Sequence, residues 1–307
     1  MEIFLPIAHM DINVLLILSF GLVVGLLSGL VGVGGGFLIT PLLIFTGVPP
    51  LVAVATGSAQ IVGTSAAGSY AHWRLGNVDI KMAVFLLLGS WTGGGVGVFV
   101  ARALEQSGQF GNIVTFLYVV LLGLIGVSML IESVNAIRVR PAAQPGKREI
   151  AAGDKSWMAR LPFQIHFPVS QLSFSALVPL ILGVGVGMLT SLMGVGGGFV
   201  MVPIMIYLLK MPTKVVVGTS LFQLLFTTAV VAAMQAGINQ AVDPFLALAL
   251  ILGSAFGTQW GTRLGVRLPA EHLRLVLALV VVAVAVKMLW GLLVTPASLY
   301  SISVLLQ

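Results

Sequence analysis

Hydrophobic runs fill most of this chain and come in two blocks of the same order. The first block holds Ile12 to Val31, a short run from Phe37 to Gly47, then Val52 to Tyr70, Ile80 to Ala101 and Ile113 to Ile137. The second holds Phe174 to Met193, a short run from Phe199 to Leu209, then Val215 to Gln235, Pro244 to Leu264 and Leu273 to Val294. A bilayer core of about 30 Å takes about 20 apolar residues of helix, so the long runs predict membrane helices and the whole pattern predicts five segments per half. The second segment of each half is too short, because its helix reaches only roughly 16 Å, about half the core. It either starts near the midplane or draws on the glycines before it to complete a span. Pro49-Pro50 and Pro212 then close these segments, since proline cannot continue a helix interior. Arg138 to Gln171 contains Pro-Ala-Ala-Gln-Pro-Gly-Lys-Arg-Glu and reads as a solvated linker. The expected organisation is a first transmembrane repeat over 1–137, a linker over 138–171 and a second repeat over 172–307, together one transport domain.

The blocks are copies. Gly25-Leu-Leu-Ser-Gly-Leu-Val-Gly-Val-Gly-Gly-Gly-Phe-Leu-Ile-Thr-Pro41 returns 162 positions later as Gly187-Met-Leu-Thr-Ser-Leu-Met-Gly-Val-Gly-Gly-Gly-Phe-Val-Met-Val-Pro203, with ten of seventeen positions identical. The best-preserved part is a triple glycine where an apolar helix would otherwise run on. Helices broken at matching places in two halves are the strongest sequence pointer to a transporter's substrate site.

Composition narrows the class further. At 58% hydrophobic and 8% charged residues, with mean hydropathy +1.11, the chain lacks the charged surface of a soluble domain and reads as an all-α integral membrane protein. There is no Cys, and the four His are scattered, so neither disulfides nor a metal or other cofactor is expected. The start carries Glu2 and Asp11 without a basic stretch, unlike a signal peptide. The net charge of +6 lies mostly in short loops, which makes it topology information; lipid is the expected partner and nucleic acid is not.

Those loop charges alternate between the halves. The loop between segments three and four holds Arg74 and Lys81 in the first half and only Asp243 in the second. The next loop holds Arg102 with Glu105 in the first half, against Arg263, Arg267 and Arg274 in the second. After segment two the first half has no charge, whereas the second has Lys210 and Lys214. By the positive-inside rule, equivalent loops therefore face opposite sides, which predicts inverted-topology repeats with a cytoplasmic linker and both termini outside the plasma membrane.

Two glycine-opened helix starts, inverted and facing each other, would form an anion cradle from Gly34, Gly35 and Gly36 opposite Gly196, Gly197 and Gly198. Each start exposes unpaired N–H groups and about half a positive charge. Tight helix crossing is the structural alternative for such glycines. The third segments add Thr56, Ser58 and Gln60, matched by Thr219, Ser220 and Gln223, as neutral donors that can bond an oxyanion, or bond their own helix backbone instead. Trp91 and Trp260 suit packing or an interface better than a pocket wall. Lys287 and Glu132 read as interfacial, and no carboxylate or His stands at mid-depth as a proton relay. No acid/base or nucleophile set points to an enzyme.

The paired Gly-x-Val-Gly-Val-Gly-Gly-Gly-Phe motifs, Gly29 to Phe37 and, with Ser191 in first place, Ser191 to Phe199, resemble those of the TauE/SafE family of sulfite and organosulfonate transporters. The resemblance implies a multi-pass plasma-membrane exporter of sulfur-containing oxyanions such as sulfite, sulfoacetate or related organosulfonates. An uncoupled anion channel or facilitator shares this architecture, and a non-transporting membrane accessory protein would pack its glycine breaks shut.

Overall fold

A computed structural model describes residues 2–31, 35–138, 162–170, 172–265 and 270–294. Helices α1 (Val14–Val31), α2 (Gly36–Phe45), α3 (Pro50–Arg74), α4 (Ile80–Gln106) and α5 (Phe110–Arg138) form the first half. Helices α6 (Leu177–Met193), α7 (Gly198–Pro203), α8 (Thr213–Met234), α9 (Pro244–Gly265) and α10 (Ala270–Leu293) form the second. Among the described residues six helices are long and apolar enough to cross a membrane, α3, α4 and α5 in one half and α8, α9 and α10 in the other. Exposed Phe99, Phe116, Leu124, Phe256 and Trp290 give the bundle the apolar exterior that lipid requires. Trp91 and Trp260 are exposed as well, at 42% and 55%.

A β-hairpin precedes the first helix of each half, an element the hydrophobic runs did not predict. β1 (Glu2–Leu5) pairs with β2 (Met10–Asn13), and β3 (Gln164–Phe167) pairs with β4 (Leu172–Ser175), both antiparallel. The second hairpin takes residues from the end of the expected linker and the start of the sixth segment, so α6 begins at Leu177 instead of Phe174. Alternation explains it: Phe167 and Phe174 point inward while His166 and Ser173 stay out. Most of the linker and the C-terminal residues lie outside the described segments, as do Gly34 and Arg267.

Packing pairs helices across the halves. α1 lies along α9, α6 along α4, α5 along α10 and α3 along α8. The α3–α8 pair is central, with 71% and 61% of their apolar stretches buried against 22% and 28% for α5 and α10. Glycine makes the α1–α9 and α4–α6 contacts possible: a Cβ at Gly93 would stand 2.0 Å from the Val184 carbonyl oxygen, and one at Gly257 would stand 2.1 Å from that of Leu22. Small residues allow backbones to approach this closely in lipid, where dispersion and weak polar contacts replace the hydrophobic effect as the source of helix association.

Two buried aspartates mark opposite ends of the bundle. Asp79 caps α4, accepting from the Met82 N–H at 3.2 Å, and its other oxygen accepts from the Ser170 N–H and hydroxyl at 2.9 and 2.6 Å. Its own N–H donates to Thr219 Oγ1 on α8 at 3.0 Å. Asp243 repeats the cap, the hairpin N–H and the threonine bond of this arrangement. It caps α9 through the Phe245 and Leu246 N–H groups, accepts from the Ile7 N–H in the first hairpin at 3.1 Å, and donates its N–H to Thr56 Oγ1 on α3 at 3.1 Å. Thr56 and the end of α3 at Arg74 are eighteen residues apart, so the clamps stand about 27 Å apart along that helix.

These clamps fix the course of the short helices. α1 leaves the hairpin held by Asp243, and α2 leads into α3 at that same end; α6 leaves the hairpin held by Asp79, and α7 leads into α8 there. Each α1–α2 or α6–α7 unit therefore doubles back on itself, while the three long helices of each half run from end to end.

Candidate functional site

The two turned-back tips meet inside the bundle. Phe37, in the first turn of α2, stacks on Phe199, in the first turn of α7, with ring centroids 4.3 Å apart and planes inclined by 16°. Ile61 of α3 reaches both tips, since a Cβ built on Gly36 would stand 2.1 Å from its Cδ1 and one on Gly196 would stand 3.0 Å from it. The carbonyl oxygen of Gly194, which caps α6 in a left-handed conformation, lies 3.2 Å from that same point on Gly36. Gly35 and Gly197 cap α2 and α7 with φ of 69° and 73°, a conformation that costs glycine nothing, and no side chain caps either helix. Tyr118 of α5 donates its hydroxyl to the Met193 carbonyl and holds the end of α6.

Gly35, Gly36, Gly196, Gly197 and Gly198 thus gather at one centre; Gly34 lies outside the described residues. The centre is closed here. Packed side chains from Val186, Ile61 and Leu224 surround the glycines, and the notch beside Gly197, lined by Leu121, Leu122, Leu189 and Val195, has apolar walls.

The polar residues of the third segments do not gather there. Thr56 and Thr219 belong to the two clamps at opposite ends. Ser58 donates to the Val54 carbonyl at 3.0 Å and Ser220 to the Val217 carbonyl at 3.1 Å, so both hydroxyls bond their own helix. Gln223 donates to Ser90 Oγ on α4 at 2.8 Å. Gln60 is fully buried with neither amide atom bonded. The clamps also move the register: Thr56 matches Thr219 and Gln60 matches Gln223 at an offset of 163, which sets Ser58 against Leu221 and Gly57 against Ser220.

Sequence reading missed Asp79, Asp243, Ser90 and Ser254. A signal was present in the Val-Asp pairs Val78-Asp79 and Val242-Asp243, each just before a helix, where aspartate is a strong cap. Among the described residues no three His, Asp or Glu side chains group as a metal site.

Comparison with known proteins places the sequence in a family. The sequence profile described as "Sulfite exporter TauE/SafE" matches residues 17–288. The chain is 28% identical over 243 residues to the "Probable membrane transporter protein YunE" of Bacillus subtilis (strain 168), covering 76% of this chain and 82% of that one. A "Probable membrane transporter protein" of Xylella fastidiosa (strain 9a5c) is 27% identical over 282 residues, covering 91% and 95%. The "Sulfite exporter TauE/SafE family protein 3" of Arabidopsis thaliana is 29% identical over 99 residues, covering 32% of this chain and 21% of that protein. No solved structure matches. With doubled-back helix pairs meeting at a glycine-rich centre and a family match over most of its length, this chain belongs to the TauE/SafE family and is a multi-pass membrane transporter.

Proposed function

We propose that the transported solute is a small sulfur-containing oxyanion, sulfite or an organosulfonate such as sulfoacetate, and that it leaves the cell across the plasma membrane. The observation that carries this reading is the meeting of two uncapped, glycine-opened helix starts at the Phe37–Phe199 stack. Backbone N–H groups at such starts favour an anion without any basic side chain. The path runs through Gly34, Gly35 and Gly36 on one side and Gly196, Gly197 and Gly198 on the other, and separation of the two phenylalanines opens it. The packed centre is the closed form of this path; family membership favours that reading over an accessory protein with permanently shut glycine breaks.

The two halves act as inverted repeats. Supporting this are the exchange of clamps between the ends and the pairing of each half's first helix with the other half's fourth. The basic linker then lies in the cytoplasm and both termini lie outside. Thiol labelling of S156C and S298C in this cysteine-free chain checks the orientation, because the two must label from opposite sides; labelling from one side removes the inverted arrangement. The solute is tested by thermal stabilisation of purified protein with sulfite, sulfoacetate, taurine, sulfate, thiosulfate and chloride, followed by flux into proteoliposomes. Sulfite or a sulfonate must both stabilise and move, and F37A must change its flux. Stabilisation by none of the oxyanions would overturn the assignment.

A further inference from the structure

The two halves carry the same polar joint in different states. Gln223 stands four residues after the clamp residue Thr219, and Ser90 stands eleven after the clamp residue Asp79. Gln60 stands four after Thr56, and Ser254 stands eleven after Asp243, so the second pair occupies the same places relative to its own clamp. Both serines sit where the glycine motif crosses them: a Cβ at Gly187 would stand 2.1 Å from the Ser90 carbonyl oxygen and one at Gly25 would stand 2.3 Å from that of Ser254. α3 faces α9 here, since a Cβ at Gly63 would stand 2.9 Å from Ile251. Yet only one joint is closed. Gln223 donates to Ser90 at 2.8 Å, while Ser254 turns its hydroxyl onto the Ile251 carbonyl and the Gln60 amide has no partner although it is fully buried.

A buried amide with neither atom bonded is costly, and a conformation that gives it a partner recovers that cost. Inverted repeats alternate by exchanging the conformations of their halves about a fixed centre. We propose that Ser90–Gln223 and Ser254–Gln60 are alternating latches between the central α3–α8 pair and the flanking helix pairs, one closed in each of the two states that face opposite sides. The inference rests on the inverted-repeat reading and not on the identity of the solute. In the state described here the α4–α6 pair is latched to α8, while the α1–α9 pair packs against α3 with its latch unbonded; in the other state Gln60 reaches Ser254 and Gln223 lets go.

The test uses two double variants, S90C/Q223C and Q60C/S254C, each made in the full-length chain and treated in membranes with a short, membrane-permeant bifunctional thiol reagent. No solute is added, so failure of the oxyanion reading leaves the result intact, and the labelling of S156C and S298C reports separately on the inverted arrangement. The expected outcome is faster linking of S90C/Q223C than of Q60C/S254C. Adding S90A to Q60C/S254C then speeds the linking by on the order of fivefold, the population change that follows from one lost hydrogen bond. Where S90A does not accumulate, Q223L removes the same bond. Equal linking of the two pairs, linking of Q60C/S254C that ignores S90A and Q223L, or a Q60C/S254C pair that never links would each overturn the latches.

Discussion

From the start of the short helix to its capping aspartate, the first half runs Gly36 to Asp79 and the second runs Gly198 to Asp243, two residues longer. The second half has wide π-type turns at Ile204–Leu208 and Gln235–Asn239, where the first half ends α2 at Phe45 and α3 at Arg74 in ordinary turns. Such turns close five residues apart instead of four, so each absorbs one residue without breaking the helix. The glycine motif repeats at 162, the clamp threonines at 163 and the clamp aspartates at 164. The insertions leave the plan of both clamps intact and fall in the turns that flank α8. The second turn also does specific work: Gln235 donates to the Ser191 carbonyl at 3.1 Å, and Asn239 bonds Gln235. The two clamps match in plan, while the turns that flank α8 differ from those that flank α3.

The comparison breaks first at the clamps. D79A and D243A each remove a buried carboxylate that caps a helix and bonds a hairpin, and each should lower stability by about 3 kcal/mol. Unfolding in detergent measures this, and the two losses should agree to within about 1 kcal/mol. A large loss from one and little from the other would show that the ends are not equivalent.

Much of this arrangement was legible in the sequence, and the failures have physical causes. The duplication, the short second segments and the loop-charge alternation were all visible, because lipid forces apolar length and basic residues resist translocation. The hairpins were hidden because only four residues per strand alternate, next to runs that swamp the signal. The pairing of Ser58 with Ser220 came from carrying the offset of 162 past a one-residue insertion that a π-type turn conceals. Asp243 was visible but read as loop charge, since burial of a cap depends on a hairpin that comes from a distant part of the chain.

Next in size are the glycines at the helix crossings. G25A and G187A put a methyl group against a backbone carbonyl at 2.3 and 2.1 Å, where no side chain can rotate away, and each should cost about 2 kcal/mol. G185A meets nothing within 4 Å and should stay within about 0.5 kcal/mol of the parent. Melting curves of the three variants check the order, and equal behaviour would mean that the crossings tolerate expansion. T56V and T219V follow, each leaving one aspartate N–H without its acceptor at a cost of about 1 kcal/mol.

The smallest effect is expected at the serines that sequence pattern made most prominent. Ser58 and Ser220 are buried, and both hydroxyls already bond carbonyls of their own helices, which keep their intrahelical N–H partners when the hydroxyl is removed. S58A and S220A should therefore change stability by less than about 0.5 kcal/mol, since the bond lost is a second one to an occupied carbonyl and alanine is the better helix former. Their effect on oxyanion affinity is the sharper reading. A hydroxyl engaged with its own backbone must leave that bond to reach a solute, so its net contribution falls below the roughly 1 kcal/mol of a free donor, and affinity should fall less than about twofold. Titration of each purified variant with sulfite and sulfoacetate measures it. A fivefold loss at both serines would mean that α3 and α8 turn these hydroxyls toward the centre in the open state, and that the middle of the molecule changes more than the latches alone require.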